Sequence, residues 1–255
     1  MLTSAVPPAD PDLVRRALSG AARAGPYFVL GVGDDGDARR WRPAAALYAG
    51  GLAGLVASTG AQLGVTEARV AASTVQLGYA ARLWSPVLGC ALLDGIVPDL
   101  TGLRTAATAP MRLSLPGPRG WQPGGEEELA ALAYRMVVTC HLEPLGAGLP
   151  VKVAAGLLHG NAAAAMTGAL RVLACTRPDL GRPARALAER LLGTGVLRGT
   201  GELTGPGLEF SRRSCCLFYR VPGGGLCADC PLPEPAPQLP EPNPQLPEPA
   251  RQELP

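Results

Sequence analysis

The sequence predicts a mainly helical α+β protein with a small cysteine-bearing lobe near its C-terminal end. Alanine, leucine and valine dominate the apolar residues and recur at helical spacing in several long stretches. Clusters of proline and glycine separate these stretches, as is typical of loops between helices. We expect residues 1–9 to be disordered, 10–204 to form the helical domain, 205–230 to form the lobe and 231–255 to be a disordered, proline-rich tail.

Composition limits the function classes. At 255 residues, 47% of them hydrophobic, the chain can build one large core or two small ones. Aromatic residues make up only 4%, so that core must consist of small aliphatic side chains. The net charge of +2 lacks the strongly basic balance of a nucleic-acid-binding protein. We therefore expect no nucleic-acid partner.

The first helix is predicted by a local start signal. Asp10 can cap a helix whose first residue is Pro11, and the helix should end near Ala24, before a glycine and a proline. A strand-like run is expected over 27–30. The uncharged stretch 44–65 is long enough to span a membrane, but its glycines and polar residues suit a buried bundle helix. Any membrane association should then be at most peripheral.

Further helices follow the same reasoning. Thr66 should begin a helix that runs to Trp84 and breaks at Pro86, with a short helix after the break. Three glutamates should open a helix over 126–142, because acidic residues stabilise helix N-termini. Additional helices are predicted over 151–176, which carries His159 and Asn161, and over 183–192. The Gly/Thr-rich stretch 193–210 is compatible with a β-hairpin leading to the cysteines.

A glycine-rich stretch at 31–36 matches the GxGxxG pattern of dinucleotide-binding loops. That fingerprint also needs a helix opening at the third glycine and an acidic residue about twenty positions further on. Neither is apparent here, and Asp34 and Asp35 inside the loop would repel a pyrophosphate. We interpret the stretch as a turn, so electrons for any redox reaction must come from a separate partner.

The cysteines Cys215, Cys216, Cys227 and Cys230 form a C-C-x10-C-x2-C pattern. Disulfides would suit a secreted protein, and the first thirty residues lack the basic start and apolar core of a leader peptide. Structural zinc usually takes two C-x(2–4)-C knuckles, and only one is present. Adjacent cysteines point apart in an extended chain, which favours a dinuclear [2Fe–2S] cluster over one ion. Zinc and disulfides remain alternatives at this point.

Residues around the cysteines are suited to tuning such a cluster. The glycine run centred on Gly224 could aim backbone N–H groups at sulfur, and such hydrogen bonds affect the reduction potential. Arg212, Arg213 and Arg220 flank the ligands. Positive charge there would stabilise the more negative, reduced cluster.

Residues 212–230 resemble the C-terminal signature of the FhuF-type siderophore-iron reductases, in which these four cysteine positions bind one [2Fe–2S] cluster. The blocks 66–73, 82–88 and 159–163 are also similar to the actinobacterial branch, so the resemblance covers roughly residues 10–231. It implies one-electron reduction of ferric iron held in a hydroxamate-type siderophore, in the cytoplasm. The separate electron donor would be a ferredoxin or an NAD(P)H-dependent reductase.

Two other classes compete with a reductase. One is an iron–sulfur redox or iron sensor, but no DNA-binding helix-turn-helix stands out in the sequence, which counts against it. The other is a zinc-stapled interaction module. For the siderophore site, the candidates are Arg82, Trp84, Trp121 and Tyr219, which offer flat contact surfaces and charge. Alternatively, Trp84 belongs to the core and Trp121 covers it.

The remaining cysteines and histidines are expected to play supporting parts. We interpret Cys90, Cys140 and Cys175 as small buried apolar residues within helices. His159 could relay a proton to a departing hydroxamate, although an isolated helical histidine is more often simply packed. His141 would form a metal pair with Cys140 only if further ligands lay nearby.

Overall fold

Helices dominate the computed structural model, which describes residues 6–33, 40–106, 111–205 and 207–232. Two π-helical segments, Leu47–Gly51 and Arg135–Leu142, continue directly into regular helix. The α-helices are α1 (Pro11–Ala22), α2 (Ala44–Ala46), α3 (Leu52–Leu63), α4 (Ala68–Asp94), α5 (Glu126–Tyr134), α6 (Glu143–Ala147), α7 (Ala155–Thr176) and α8 (Gly181–Leu192).

Short strands form three small sheets beside the helices. In the first, the order is β1-β5-β4-β2, with β1 and β5 parallel and the other pairs antiparallel. The second pairs β3 with β6, and the third is the hairpin of β7 and β8. The strands are β1 (Gly31–Val32), β2 (Trp41–Pro43), β3 (Val97–Pro98), β4 (Arg104–Ala106), β5 (Leu113–Leu115), β6 (Gly120–Trp121), β7 (Gly201–Thr204) and β8 (Glu209–Arg212). The mainly helical α+β prediction is confirmed.

Helix α4 is the centre of the core and packs against α1, α3 and α7. It continues through Pro86, so the predicted break at this residue is wrong. A proline inside a helix costs about 3 kcal/mol, but here the surrounding helices bury Pro86 and its neighbours on α4. Burial of the apolar residues around it offsets that cost.

Helix α1 begins as predicted. The Asp10 carboxylate accepts hydrogen bonds from the N–H groups of Asp12 and Leu13 at 2.8 and 3.2 Å. The expectation of a disordered start fails for residues 6–9, because the Ala9 N–H donates to the Gly120 carbonyl at 2.9 Å and Ala9 is buried. Residues 1–5, and 233–255 of the predicted tail, lie outside the described part of the chain.

The apolar stretch after β2 differs from the buried helix that was predicted. It is built from α2, a π-helical segment and α3, and within the described residues only the helical run Ala44–Leu63 is long and apolar enough to cross a membrane. Its mean hydropathy is 1.3, and 28% of it is buried. It packs one face against α4 and leaves mainly alanine, glycine and serine exposed.

Other boundaries shift for local reasons. The predicted strand over 27–30 is instead a 3-10 turn at Pro26–Phe28, after which β1 begins. Helix α7 begins at Ala155 and not at position 151, because the backbone at Ala154 is extended. The parallel partner of β1 is β5, and among the described residues the next element after β1 is the strand β2. Residues 34–39, which include the second half of the glycine-rich stretch, lie outside the described part, so the interpretation of that stretch as a turn stays a prediction.

A buried polar chain links the two π-helical segments. The Tyr48 hydroxyl lies 2.8 Å from both the Tyr79 hydroxyl and His141 Nδ1, and His141 Nε2 lies 2.9 Å from the Leu100 carbonyl. Because a carbonyl can only accept, Nε2 carries the proton and Nδ1 accepts from Tyr48. Burial lowers the pKa of His141 to about 4. His141 is therefore a neutral structural residue, and it does not form a metal pair with Cys140. Of the three scattered cysteines, Cys90 is buried as predicted, but the prediction is wrong for Cys140, which is half-buried, and for Cys175, which is exposed near the end of α7.

We predict that stability falls as the pH drops from about 6.5 towards 4. The unfolded chain takes up a proton on His141 below about pH 6.5, whereas the folded chain resists it until about pH 4, which corresponds to about 3 kcal/mol. Urea unfolding of the wild type and of His141→Gln across this range provides the measurement. The variant should lose the histidine part of the slope. Equal slopes for both proteins would contradict this assignment.

Candidate metal centre

The cysteine segment is delivered by the hairpin of β7 and β8. Their register pairs Gly201 with Arg212, and the next residue, Arg213, donates its N–H to the Thr200 carbonyl at 2.8 Å. The chain therefore leaves the hairpin at a fixed point, directly before Cys215. The β-hairpin that the Gly/Thr-rich stretch was expected to form is present. It lies across the expected boundary between the helical domain, which was predicted to end at 204, and the lobe.

Two of the four sulfurs already lie at the separation of two ligands on one metal. Cys216 Sγ and Cys227 Sγ are 3.6 Å apart, and all four thiols are free. Two thiolates on a tetrahedral ion with metal–sulfur bonds of about 2.3 Å lie about 3.8 Å apart. Cys227 and Cys230 are joined by a tight turn in which the Cys230 N–H donates to the Cys227 carbonyl at 3.0 Å.

A left-handed residue aims a backbone donor at sulfur. Leu217 has φ of 69°, the only positive value among the described residues other than glycine, and its N–H lies 3.3 Å from Cys215 Sγ. Such backbone strain often occurs at functional sites. Gly223 and Gly225 are also left-handed, but the Gly224 N–H donates to the Val221 carbonyl at 2.8 Å. In this structure the N–H that reaches a sulfur thus belongs to Leu217 and not to Gly224.

Within the described residues, no three Cys, His, Asp or Glu side chains gather around one point as a single ion would require. A dinuclear cluster has a different requirement, because two thiolates bind each of two irons. The arrangement of Cys216 beside Cys227 meets that requirement for one iron. Cys215 and Cys230 are the remaining pair of candidate ligands.

The thiols disfavour each other's ionisation. Burial, followed by the negative charge that Cys216 would carry, raises the pKa of Cys227 to about 12. Asp229 and Cys230 act in the same direction. Metal ligation needs thiolates, so binding of a positively charged metal core here would release protons from the cysteines.

A glycine lets the cysteine segment dock on α7. A Cβ at position 160 would collide with Ser214 Oγ and lie 3.2 Å from Arg212 Nη2. Gly160 is buried and faces the segment directly, so the helix backbone approaches it more closely than any other residue would allow. This contact positions Arg212 and Ser214, which precede the Cys215–Cys216 pair.

Buried hydrogen bonds extend the docking to α4. The Ser73 hydroxyl donates to the Cys216 carbonyl at 2.7 Å, and Asn161 Nδ2 donates to the Ser73 carbonyl and hydroxyl at 3.2 and 3.1 Å. Both side chains are fully buried. No role was predicted for either residue, although both lie within the blocks 66–73 and 159–163 that resemble the FhuF type. Helical periodicity predicts a buried face and does not indicate its partner.

The structure places a buried positive charge beside the cysteines. Arg212 is 2% exposed, donates from Nη2 to Asn161 Oδ1 at 2.6 Å, and lies 4.0 Å from the Asp229 carboxylate. Among the residues that the structure describes, Arg212 Nε and Ser214 Oγ are buried and have no hydrogen-bond partner. A buried cation and two unpaired donors fit an anionic group at this position. The residues present therefore fit an iron–sulfur cluster with thiolate ligands.

The other flanking arginines lie at the surface. Arg213 is exposed, and Arg220 forms an ion pair with Glu67 at 2.7 Å, which joins the cysteine segment to the start of α4. Arg220 also lies 5.5 Å from the centre of the Tyr219 ring, which is 43% exposed. Hydrogen bonding from Arg220 lowers the pKa of Glu67.

The four candidates for substrate contact are not brought together. Trp84 is completely buried in the core, and Trp121 lies in β6, paired with Val97. Arg82 stacks on Tyr27, 4.6 Å from its ring centre, and lines a cavity of about 560 Å³. It lies nine residues beyond Ser73, which places it on the opposite side of α4 and about 14 Å along the axis. Only Tyr219 lies in the cysteine segment.

Comparison with known proteins identifies the segment. Residues 212–232 match the family model of the FhuF 2Fe-2S C-terminal domain, which includes all four cysteines. No curated protein and no solved structure matches the chain. The resemblance of the cysteine signature to the FhuF type is confirmed, and the cofactor of this segment is a [2Fe–2S] cluster.

We predict that Gly160→Ala destabilises the folded protein by about 1–3 kcal/mol, because the new methyl group overpacks the contact with Ser214. The matched control is Gly168→Ala on the same helix, where a Cβ would meet nothing within 4 Å. That change should be neutral or stabilise by up to about 1 kcal/mol. Thermal unfolding and iron content measure both variants. The docking assignment fails if the two variants behave alike.

Proposed function

We propose that this chain reduces ferric iron held in a hydroxamate-type siderophore, one electron at a time, and releases ferrous iron in the cytoplasm. The observation that carries the proposal is the FhuF-type cysteine segment, docked on the helical body with three of its four thiols partly exposed. When bound, the cluster supplies single electrons. The protein's part is to hold it at the surface, where a large chelate can approach.

The chemistry of the substrate explains why an electron is enough. Hydroxamate oxygens are hard ligands that bind ferric iron far more tightly than ferrous iron, because the extra charge of the ferric ion strengthens each bond. One added electron therefore weakens the complex and lets the iron leave. The reaction needs no nucleophile and no acid–base pair, which suits a chain with two histidines, one of them the buried His141.

The exposed edge of the cysteine segment suits contact with such a chelate. Tyr219 presents an exposed ring with the Arg220 guanidinium beside it, three and four residues after Cys216. An aromatic face can contact the apolar arms of a siderophore. The Arg220 guanidinium is paired with Glu67 at the surface, and its positive charge can also attract anionic oxygen atoms. We assign the meeting point of substrate and cluster to this edge.

The electron must reach the cluster from a separate donor, either a ferredoxin or an NAD(P)H-dependent reductase. Among the described residues, the next element after the glycine-rich stretch at 31–36 is the strand β2, whereas a dinucleotide fingerprint needs a helix that opens at its third glycine. The partly exposed thiols of Cys215, Cys227 and Cys230 allow a donor to approach the cluster closely.

Single-turnover reoxidation tests the proposal. The dithionite-reduced protein, freed of reductant, is mixed anaerobically with a ferric trihydroxamate and a ferrous-iron chelator. We expect the absorbance of the oxidised cluster to return while the ferrous chelate appears in about equal amount. The metal-free trihydroxamate is the control and should leave the cluster reduced. A cluster that stays reduced in the presence of the ferric complex would refute the proposal.

Replacement of one ligand tests the site itself. Cys227→Ser should abolish the visible absorption and the acid-labile sulfide, because serine is a poor ligand for iron in such clusters. The helical core should remain folded, since Cys227 lies outside the main hydrophobic cluster of buried residues. Circular dichroism and sulfide analysis measure both effects. Cys175→Ser, at an exposed cysteine of α7, is the matched control and should keep the cluster. Full cluster content in Cys227→Ser would exclude this residue as a ligand.

A further inference from the structure

We propose that Ser73 and Asn161, which lie on the helical body, are positioning residues for the cluster. Asn161 holds the buried Arg212 guanidinium beside the ligand turn, and Ser73 fixes the backbone of the ligand Cys216. The inference rests on the cluster of the proposed function and is independent of its substrate.

The contacts form one continuous chain across the seam between α4 and α7. Asn161 accepts from Arg212 through Oδ1 at 2.6 Å and donates through Nδ2 to the Ser73 hydroxyl at 3.1 Å. The Ser73 hydroxyl then donates to the Cys216 carbonyl at 2.7 Å. These donor and acceptor roles are consistent, because the Asn161 amide accepts through its oxygen and donates through its nitrogen, and the Ser73 hydroxyl can do both. A ligand and a charge near the cluster are thus held by the same side chain.

The burial of this chain points to a role beyond packing. Ser73 and Asn161 are fully buried and Arg212 nearly so, in a seam otherwise lined mainly by alanine and other apolar residues. Apolar side chains would fill the same space without the cost of desolvating a guanidinium. A buried polar chain of this kind is favourable only where its charge meets an opposite charge.

The structure shows an incomplete set of counter-charges for Arg212. Within the described part of the chain, its closest acceptor is the neutral amide of Asn161, its nearest carboxylate is Asp229 at 4.0 Å, and its Nε has no hydrogen-bond partner. Asp229 lies within the turn between Cys227 and Cys230, so the guanidinium faces the ligand loop. The anionic cluster supplies the missing negative charge. Arg212 then stabilises the reduced state, which carries the greater negative charge, and raises the reduction potential.

A series of variants can distinguish two effects of this arrangement, which are retention of the cluster and control of its reduction potential. Asn161→Leu removes the acceptor of Arg212 and the donor to Ser73, so we expect iron loss to a chelator to become roughly 10- to 100-fold faster. Ser73→Ala removes the donor to the Cys216 carbonyl, and iron loss should become roughly fivefold faster. Asn161→Asp keeps an acceptor but places a negative charge against Arg212, so the reduction potential should fall while much of the cluster is retained.

The experiment measures the cluster directly. Iron and sulfide per chain, the rate of iron loss to a chelator, and the reduction potential from an optical titration are determined for the holoprotein and each variant. Thr74→Ala on α4 and Thr167→Ala on α7 are matched controls, because each hydroxyl bonds only to carbonyls of its own helix. Both controls should keep the wild-type rate and potential.

Two results would overturn the inference. One is an unchanged potential in Asn161→Asp, since a purely structural amide could be replaced without moving it. The other is an iron-loss rate in Ser73→Ala equal to that of Thr74→Ala. If Asn161→Leu does not fold, these two milder variants decide the question. No siderophore enters either measurement, so a failure of the reductase proposal would leave their outcome unaffected.

Discussion

The close contact between α4 and α7 is the constraint on which the cysteine segment depends. Alanine and glycine on α7 let the two backbones approach, and Gly160 lets the helix reach Ser214 without a side chain between them. A wider seam would separate Ser73 from Asn161 and leave the Cys216 carbonyl without its donor. The packing of small residues far from the C-terminus therefore determines where the ligand loop lies.

The same contact couples the stability of the body to the cofactor. A guanidinium that is 2% exposed is costly unless its charge is compensated, and the protein compensates Arg212 only in part, through Asn161 and a carboxylate 4.0 Å away. An anionic cluster completes the compensation. Binding energy at the cysteines then also favours the docked position of Arg212, so metal binding and folding of the lobe support each other.

The features that were predicted from the sequence are local. The four cysteines lie within sixteen residues, and Asp10 and Pro11 signal a helix start without any distant partner. The predictions that proved wrong depend on contacts between distant parts of the chain. Helix α4 continues through Pro86 because neighbouring helices bury it, and residues 6–9 are ordered because the Gly120 backbone binds them. Ser73 and Asn161 are 88 residues apart in sequence, so their periodicity could show that they are buried but not that they meet.

The cavities bear on how the ferric chelate of the proposed reaction would reach the protein. The cavity lined by Gln76 and His159, next to the seam, measures about 200 Å³, below the range of about 300–1,000 Å³ typical of small-molecule sites. The cavity of about 560 Å³ at Arg82 lies on the far side of α4 from the cysteines. Neither can enclose a bulky ferric complex beside the ligands. In the proposed reaction, transfer of an electron would require only close approach. A shallow contact at Tyr219 would therefore be sufficient, and it would place little demand on the shape of the siderophore.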